Sequence, residues 1–164
     1  MPLPCMSLRG RLSAVIAVLV SLALLVWAAM LGILQPFAAQ LVMVMRAHPL
    51  PSWYFPLFVL LGSFLPLSFR FVRSHDRIVT TLLDPYLILL LGQVVSEVVL
   101  VWLAGKGAGV IVGFWFTLLR VFQLHQLHAY AKPRSCIRLL LFLELVLWSI
   151  NALHILCRRF LLLQ

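Results

Sequence analysis

The chain has 164 residues, 64 % of them hydrophobic, and sets thirteen Lys and Arg against four Asp and Glu. Too few charged side chains remain to cover the surface of a soluble domain this apolar, so the composition excludes a water-soluble globular protein and points to an integral membrane protein. The basic excess lies between the apolar runs rather than on a soluble face with interleaved aromatics. That placement reads as topogenic charge and attraction to anionic headgroups, with no nucleic-acid partner.

The first predicted span covers 12–34, after Arg9 and Arg11. Its apolar run is too long for a signal-peptide core, so a retained helix is expected. Ser13, Ala17, Ser21, Ala28 and Gly32 recur at helical spacing and predict a small-residue face for close helix approach. Segment 35–52, bounded by Pro36, Pro49 and Pro51, is too short and polar to cross. Phe37, Leu41, Val44 and Met45 would give it an apolar face in the interface.

The second span covers 53–71 and opens with Trp53 and Tyr54, which suit the headgroup level. Pro56 falls in its first turn; Pro66 lies deeper and predicts a kink. Asp84-Pro85 reads as an N-cap followed by a first helical residue, so the third span is placed at 85–103. Gly105 to Gly109 predicts a tight turn, and the fourth span covers 109–127 with a GxxxG pair at Gly109 and Gly113. The fifth covers 137–156.

The fold class is therefore all-α, a polytopic transmembrane bundle of five spans forming a single membrane-embedded domain over residues 1–164. With the N-terminus inside, the inner segments carry Arg9, Arg11, Arg70, Arg73, Arg77, Lys132, Arg134 and Arg138. The outer ones carry only Arg46, Lys106, Arg158 and Arg159. A rival arrangement has four spans plus an interfacial helix, because Arg120, Gln123, His125, Gln126 and His128 make the end of the fourth segment amphipathic.

Ionisable and amide groups at membrane depth are costly and must face protein or water. They are Gln93 and Glu97 on the third span, Arg120 on the fourth, and Glu144 and Asn151 on the fifth. At about 1.5 Å per residue, Arg120 meets the level of Glu144, and Glu97 that of Asn151. Gln93 and Glu97, four apart, share one helix face, and Glu144 and Asn151, seven apart, share another, which predicts one polar seam between the three helices. An Arg120–Glu144 ion pair fixing helix register is one reading, with Glu97 neutral or bonded to Asn151. A proton or ion pathway using Glu97 and Glu144 is the other.

Arg70, Arg73, His125, His128 and Lys132 form a candidate inner headgroup cluster. His125 and His128 with His75, or His48 with His154, would be the histidine sets for a metal or haem. No attachment motif accompanies them, and no cofactor or metal is expected. Cys5, Cys136 and Cys157 make no CxxC pair; Cys136 and Cys157 fall at opposite ends of a helix and cannot bridge. HExxH, GxSxG and P-loop motifs are missing from the sequence. The function expected is that of a non-catalytic membrane protein, an accessory or assembly subunit of a membrane complex. Its partners would be membrane lipids and other membrane subunits or further copies of itself. The alternative is a small oligomeric proton-coupled transporter using Glu97 and Glu144.

Overall fold

The computed structural model describes residues 3–47, 53–131 and 135–160, with the side chains at 3–7, 37, 38, 41, 44–47, 55 and 158–160 outside the description. His48 and Lys132 are thus outside the described residues, as are the side chains of Phe37, Leu41, Val44 and Met45. Among the described residues all regular structure is helical: α1 (Leu3–Met30), α2 (Leu34–Ala47), α3 (Tyr54–Val59), a π-helical turn (Leu60–Phe64), α4 (Leu65–Val72), α5 (Arg77–Ala104), α6 (Lys106–Tyr130) and α7 (Cys136–Phe160). Among the described residues four stretches are long and apolar enough to cross a bilayer: Leu8–Met30, Arg77–Ala104, Lys106–Tyr130 and Cys136–Cys157. Such helices satisfy their own backbone groups, which lets nearly every side chain be apolar.

Helix α1 ends earlier than the sequence suggests. After Met30 the chain turns through Gly32 at φ 71°, and the Ile33 and Gly32 amides return to the Ala28 and Ala29 carbonyls, both at 3.0 Å. This is a Schellman stop, and only glycine takes that backbone conformation without strain. Gly32 therefore makes the turn and not a close helix contact; Ser13, also assigned to the small face, is exposed. Helix α1 packs chiefly on α5, and its covered face includes Ala14, Ala17, Ser21 and Ala29, with Ser21 accepting from Trp115 of α6. Gly92 of α5 completes the contact, because a Cβ there would meet Val18 of α1 at 2.3 Å.

The start of α5 also differs. Asp76 is the N-cap, its carboxylate accepting from the Ile78 amide at 2.9 Å and the Val79 amide at 3.4 Å. The helix is two turns longer than read from Asp84-Pro85, and Pro85 sits within it. Asp84 is freed for another role: it takes Arg11 of α1 at 2.5 Å and Arg70 of α4 at 2.6 Å. The turn after α5 is Gly105 alone (φ 84°); Gly107, Ala108 and Gly109 already belong to α6.

Pro66 explains the π turn. A proline at this position has no N–H to give the carbonyl four residues back, that of Gly62, and its ring crowds it. The helix widens over Leu60–Phe64, and the Leu65 amide reaches Leu60 instead.

Two apolar clusters hold the bundle. One joins α5, α6 and α7 through Leu82, Leu83, Leu124, Leu141 and Trp148. The other joins α1, α5, α6 and the start of α2 through Ala29, Leu34, Leu100, Val112 and Phe116. The far half of α6 packs into the bundle through Arg120 and Leu124, both 0 % exposed, while His125 and Gln126 stay exposed. The N-terminal ends of α1, α5 and α7 and the C-terminal ends of α4 and α6 meet at one end, called here the basic end.

Candidate functional site

The buried polar groups gather where α5, α6 and α7 face the π turn. Tyr86, Gln93 and Glu97 lie at intervals of seven and four on α5, Gly113, Thr117 and Arg120 at four and three on α6, and Glu144, Trp148 and Asn151 at four and three on α7. Each set therefore occupies one helix face. Arg120 and Tyr86 are 0 % exposed and Glu144 is 2 % exposed.

Arg120 gives one Nη2 hydrogen bond to Gln93 Oε1 at 2.7 Å. The Gln93 amide is thereby oriented, and its Nε2 donates to Glu97 Oε1 at 2.6 Å. A Cβ on Gly113 would meet that same Glu97 oxygen at 3.3 Å, so the GxxxG position is where α6 makes room for the carboxylate. Its partner Gly109 faces Val101 of α5. The Arg120 guanidinium stacks over Trp148, with Cζ 3.9 Å from the ring centroid, and lies 5.5 Å from that of Tyr86. Its Nε and Nη1 are buried without a hydrogen-bond partner among the described residues. Aromatic π faces supply the compensation there, an attraction that strengthens when water is excluded.

Glu144 does not touch Arg120. Among the described residues the ion pairs are those of Asp84, and the predicted Arg120–Glu144 pair is not formed. Glu144 Oε2 lies 3.0 Å from Tyr86 Oη and 3.1 Å from Trp148 Nε1, which donates to it and to Tyr86 Oη at 3.0 Å. The Tyr86 hydroxyl also donates to the Gly62 carbonyl at 2.5 Å, the acceptor that Pro66 leaves open. Position 62 requires glycine, because a Cβ there would meet the Trp148 ring at 2.8 Å. Tyr86 has one proton and two acceptors within reach, so it serves one at a time.

Asn151 stands apart from Glu97. Its Nδ2 donates to Thr117 Oγ1 at 3.2 Å, which in turn donates to the Gly113 carbonyl at 2.7 Å, and its Oδ1 accepts from Tyr54 at 2.9 Å. The single predicted seam is thus two strings. One is Glu97–Gln93–Arg120, joined through Trp148 to Glu144, Tyr86 and Gly62. The other is Tyr54–Asn151–Thr117–Gly113.

The inner headgroup cluster is also divided. Arg70 is paired with Asp84, while Arg73 and His125 are exposed. His128 instead accepts from Arg138 Nε at 3.3 Å. Of the histidine sets, His75 bonds Ser74 at 3.0 Å and His154 stacks on Tyr54 at 5.3 Å. Among the described residues no three His, Cys, Asp or Glu converge as metal ligands. Cys136 and Cys157 are free thiols, both exposed.

The sequence reading missed Asp84, Tyr86, Thr117 and Trp148 as members of polar networks. Extending the Gln93–Glu97 face back by seven residues reaches Tyr86, and extending the Glu144–Asn151 face inward reaches Trp148. The chain matches no protein-family model, no curated protein and no solved structure.

Proposed function

We propose that this chain is a multi-pass integral membrane protein of non-catalytic type, an accessory or assembly subunit of a larger membrane complex. The observation that carries this is the inward closure of its ionisable groups. Arg120 and Glu144 are buried and engaged by Gln93 and Tyr86 of the neighbouring helix α5, which suits polar groups that specify how helices associate. The outward faces are apolar, as at Leu19, Val98, Trp102 and Leu153, and fit lipid or neighbouring membrane helices. The small-residue contacts of α1 and α6 are already used against α5, so partners would meet the larger apolar side chains.

Five crossings with the N-terminus inside remain the topology we favour. Pro56–Val72, at 17 residues, is the shortest segment but falls at the lower limit for a crossing. Placing it across brings Arg11, Arg70, Arg73 and Arg138 to one face, the cytoplasmic one by the distribution of positive charge.

Purifying the full chain in mild detergent and measuring its mass and stoichiometry tests the proposal. A fixed assembly with other subunits or copies is expected, and Glu144→Gln should lower its abundance. A lone monomer whose Glu144→Gln variant accumulates normally would overturn it.

One observation favours the transporter reading. Tyr86 Oη lies between Gly62 O and Glu144 Oε2 with one proton to give, a geometry through which a proton can change owner. Proton flux into vesicles, lost in Glu144→Gln and Tyr86→Phe without loss of protein, would establish it.

A further inference from the structure

The two basic corners of the bundle are not equivalent. At the α4–α5 corner Asp84 pairs with both Arg11 and Arg70. Among the described residues no acid pairs with a base at the α6–α7 corner. The chain holds no Asp or Glu between Glu97 and Glu144, both of which lie in the interior, while Lys132, Arg134 and Arg138 all fall in that interval. Arg138 is half-buried, and its Nε contact is an imidazole nitrogen of His128, which accepts the bond only when neutral. Its positive charge is held in place and, among the described residues, forms no ion pair.

A shallow, open depression of about 440 Å³ lies beside it, lined by His128, Ser135, Cys136, Arg138, Leu139 and Phe142. One wall is polar and basic. The other is apolar: Leu139 is 61 % exposed and Phe142 48 %, and exposed apolar side chains continue along α7 at Leu143 and Val146. The His128 ring packs on Phe142, centroids 6.0 Å apart, which fixes the junction of the two walls. A ligand matching both walls carries an anion at one end and hydrocarbon at the other.

We propose that this corner binds an anionic glycerophospholipid, with Arg138 on the headgroup phosphate and an acyl chain along Leu139 and Phe142. A guanidinium matches phosphate oxygens in a fork of parallel hydrogen bonds, which favours arginine here over a point charge. Free phosphate would leave the apolar wall unused. The site adds a ligand to the proposed membrane reading and rests on it.

The test uses the full chain in mild detergent, stripped of lipid and offered equal amounts of dioleoyl phosphatidylglycerol and dioleoyl phosphatidylcholine, with bound lipid counted by native mass spectrometry. Phosphatidylglycerol should be preferred by about tenfold, the size of one charged hydrogen-bond contact. Arg138→Gln should abolish that preference, Arg138→Lys should keep part of it, and Arg73→Gln should leave it intact. Millimolar inorganic phosphate should not displace the lipid from the wild-type chain. Equal retention of the two lipids, or a preference that survives Arg138→Gln, would overturn the site while leaving the membrane reading standing. Displacement by inorganic phosphate would make it a free-anion site instead. A chain that holds neither lipid and stays dispersed without detergent would sink both readings. If Arg138→Gln does not fold, the wild-type lipid competition, the phosphate arm and Arg138→Lys decide the matter.

Discussion

At the basic end Asp84 takes Arg11 and Arg70 directly, whereas halfway along the bundle Arg120 and Glu144 share a level and do not touch. The rim contact is partly wet, with the Arg11 side chain 45 % exposed and that of Asp84 15 %. Water there bears part of the cost of bringing charges together. The interior contact has no such help, and removing two ions from water costs more than their attraction returns unless every remaining lone pair and N–H is also met. The chain answers by giving each ionisable group neutral company. Arg120 has an amide oxygen and an indole face; Glu144 has an indole N–H and a phenol. Arg120 and Glu144 in the interior are held by neutral groups, and the rim charges by each other.

Arg120→Ala should break the interior arrangement most severely. It empties the volume of a fully buried side chain, unseats Gln93 and removes the cation from the face of Trp148. A loss of about 3–5 kcal/mol in unfolding free energy is expected for the full chain in mild detergent. Arg120→Lys should recover little, because an ammonium cannot stack flat on the indole or reproduce the planar fork. A mild effect of Arg120→Ala would show that the π contact and the Gln93 bond hold nothing.

Tyr86→Phe should come next. It keeps the ring but strips the Gly62 carbonyl of its donor and Glu144 of a neighbour. About 1–3 kcal/mol is expected, with Gly62 left as an orphaned buried acceptor. The same unfolding measurement on a Pro66→Ala background sharpens the point. Alanine restores an N–H for the Gly62 carbonyl, so the Tyr86→Phe loss should shrink if the proline is the reason the tyrosine is needed.

Much of this was legible in the residues. The all-helical architecture follows from the length of the apolar runs, and the shared level of Arg120 and Glu144 follows from helical rise alone. The partners were hidden because Tyr and Trp look the same in sequence whether they meet lipid, core or a charged group. Asp84 was misread because Asp-Pro is a strong helix-start signal, and local chemistry does not say that Asp76 has already capped the helix. Nor does it say that two arginines distant in sequence, Arg11 and Arg70, converge on the second acid. Gly62 and Gly92 carry a comparable lesson. A glycine within an apolar run marks close approach, but which side chain arrives, Trp148 or Val18, is a property of the assembled bundle.

At the rim, Asp84→Asn should cost about 1 kcal/mol, since it leaves two arginines facing one another but lets both turn to water. The wild-type advantage should fall as salt is raised, because exposed charges are screened over about 10 Å at 0.1 M. The Arg120→Ala loss should hardly change with salt. If both respond equally, solvent reaches the interior group and the contrast between the two places fails.

Arg11→Gln should do least, about 0.2–1 kcal/mol, vanishing at high salt. Asp84 keeps Arg70 when Arg11 is gone, so no buried acid is orphaned. Helix α1 would still be seated by Val18 in the space over Gly92 and by the Trp115 indole bonded to Ser21 at 2.9 Å. The readout is the exposure of α1 to limited proteolysis alongside unfolding free energy. Were Arg11→Gln to release α1 as readily as Gly92→Leu does, the rim ion pair rather than the packing along α5 would be what holds the first helix to the bundle.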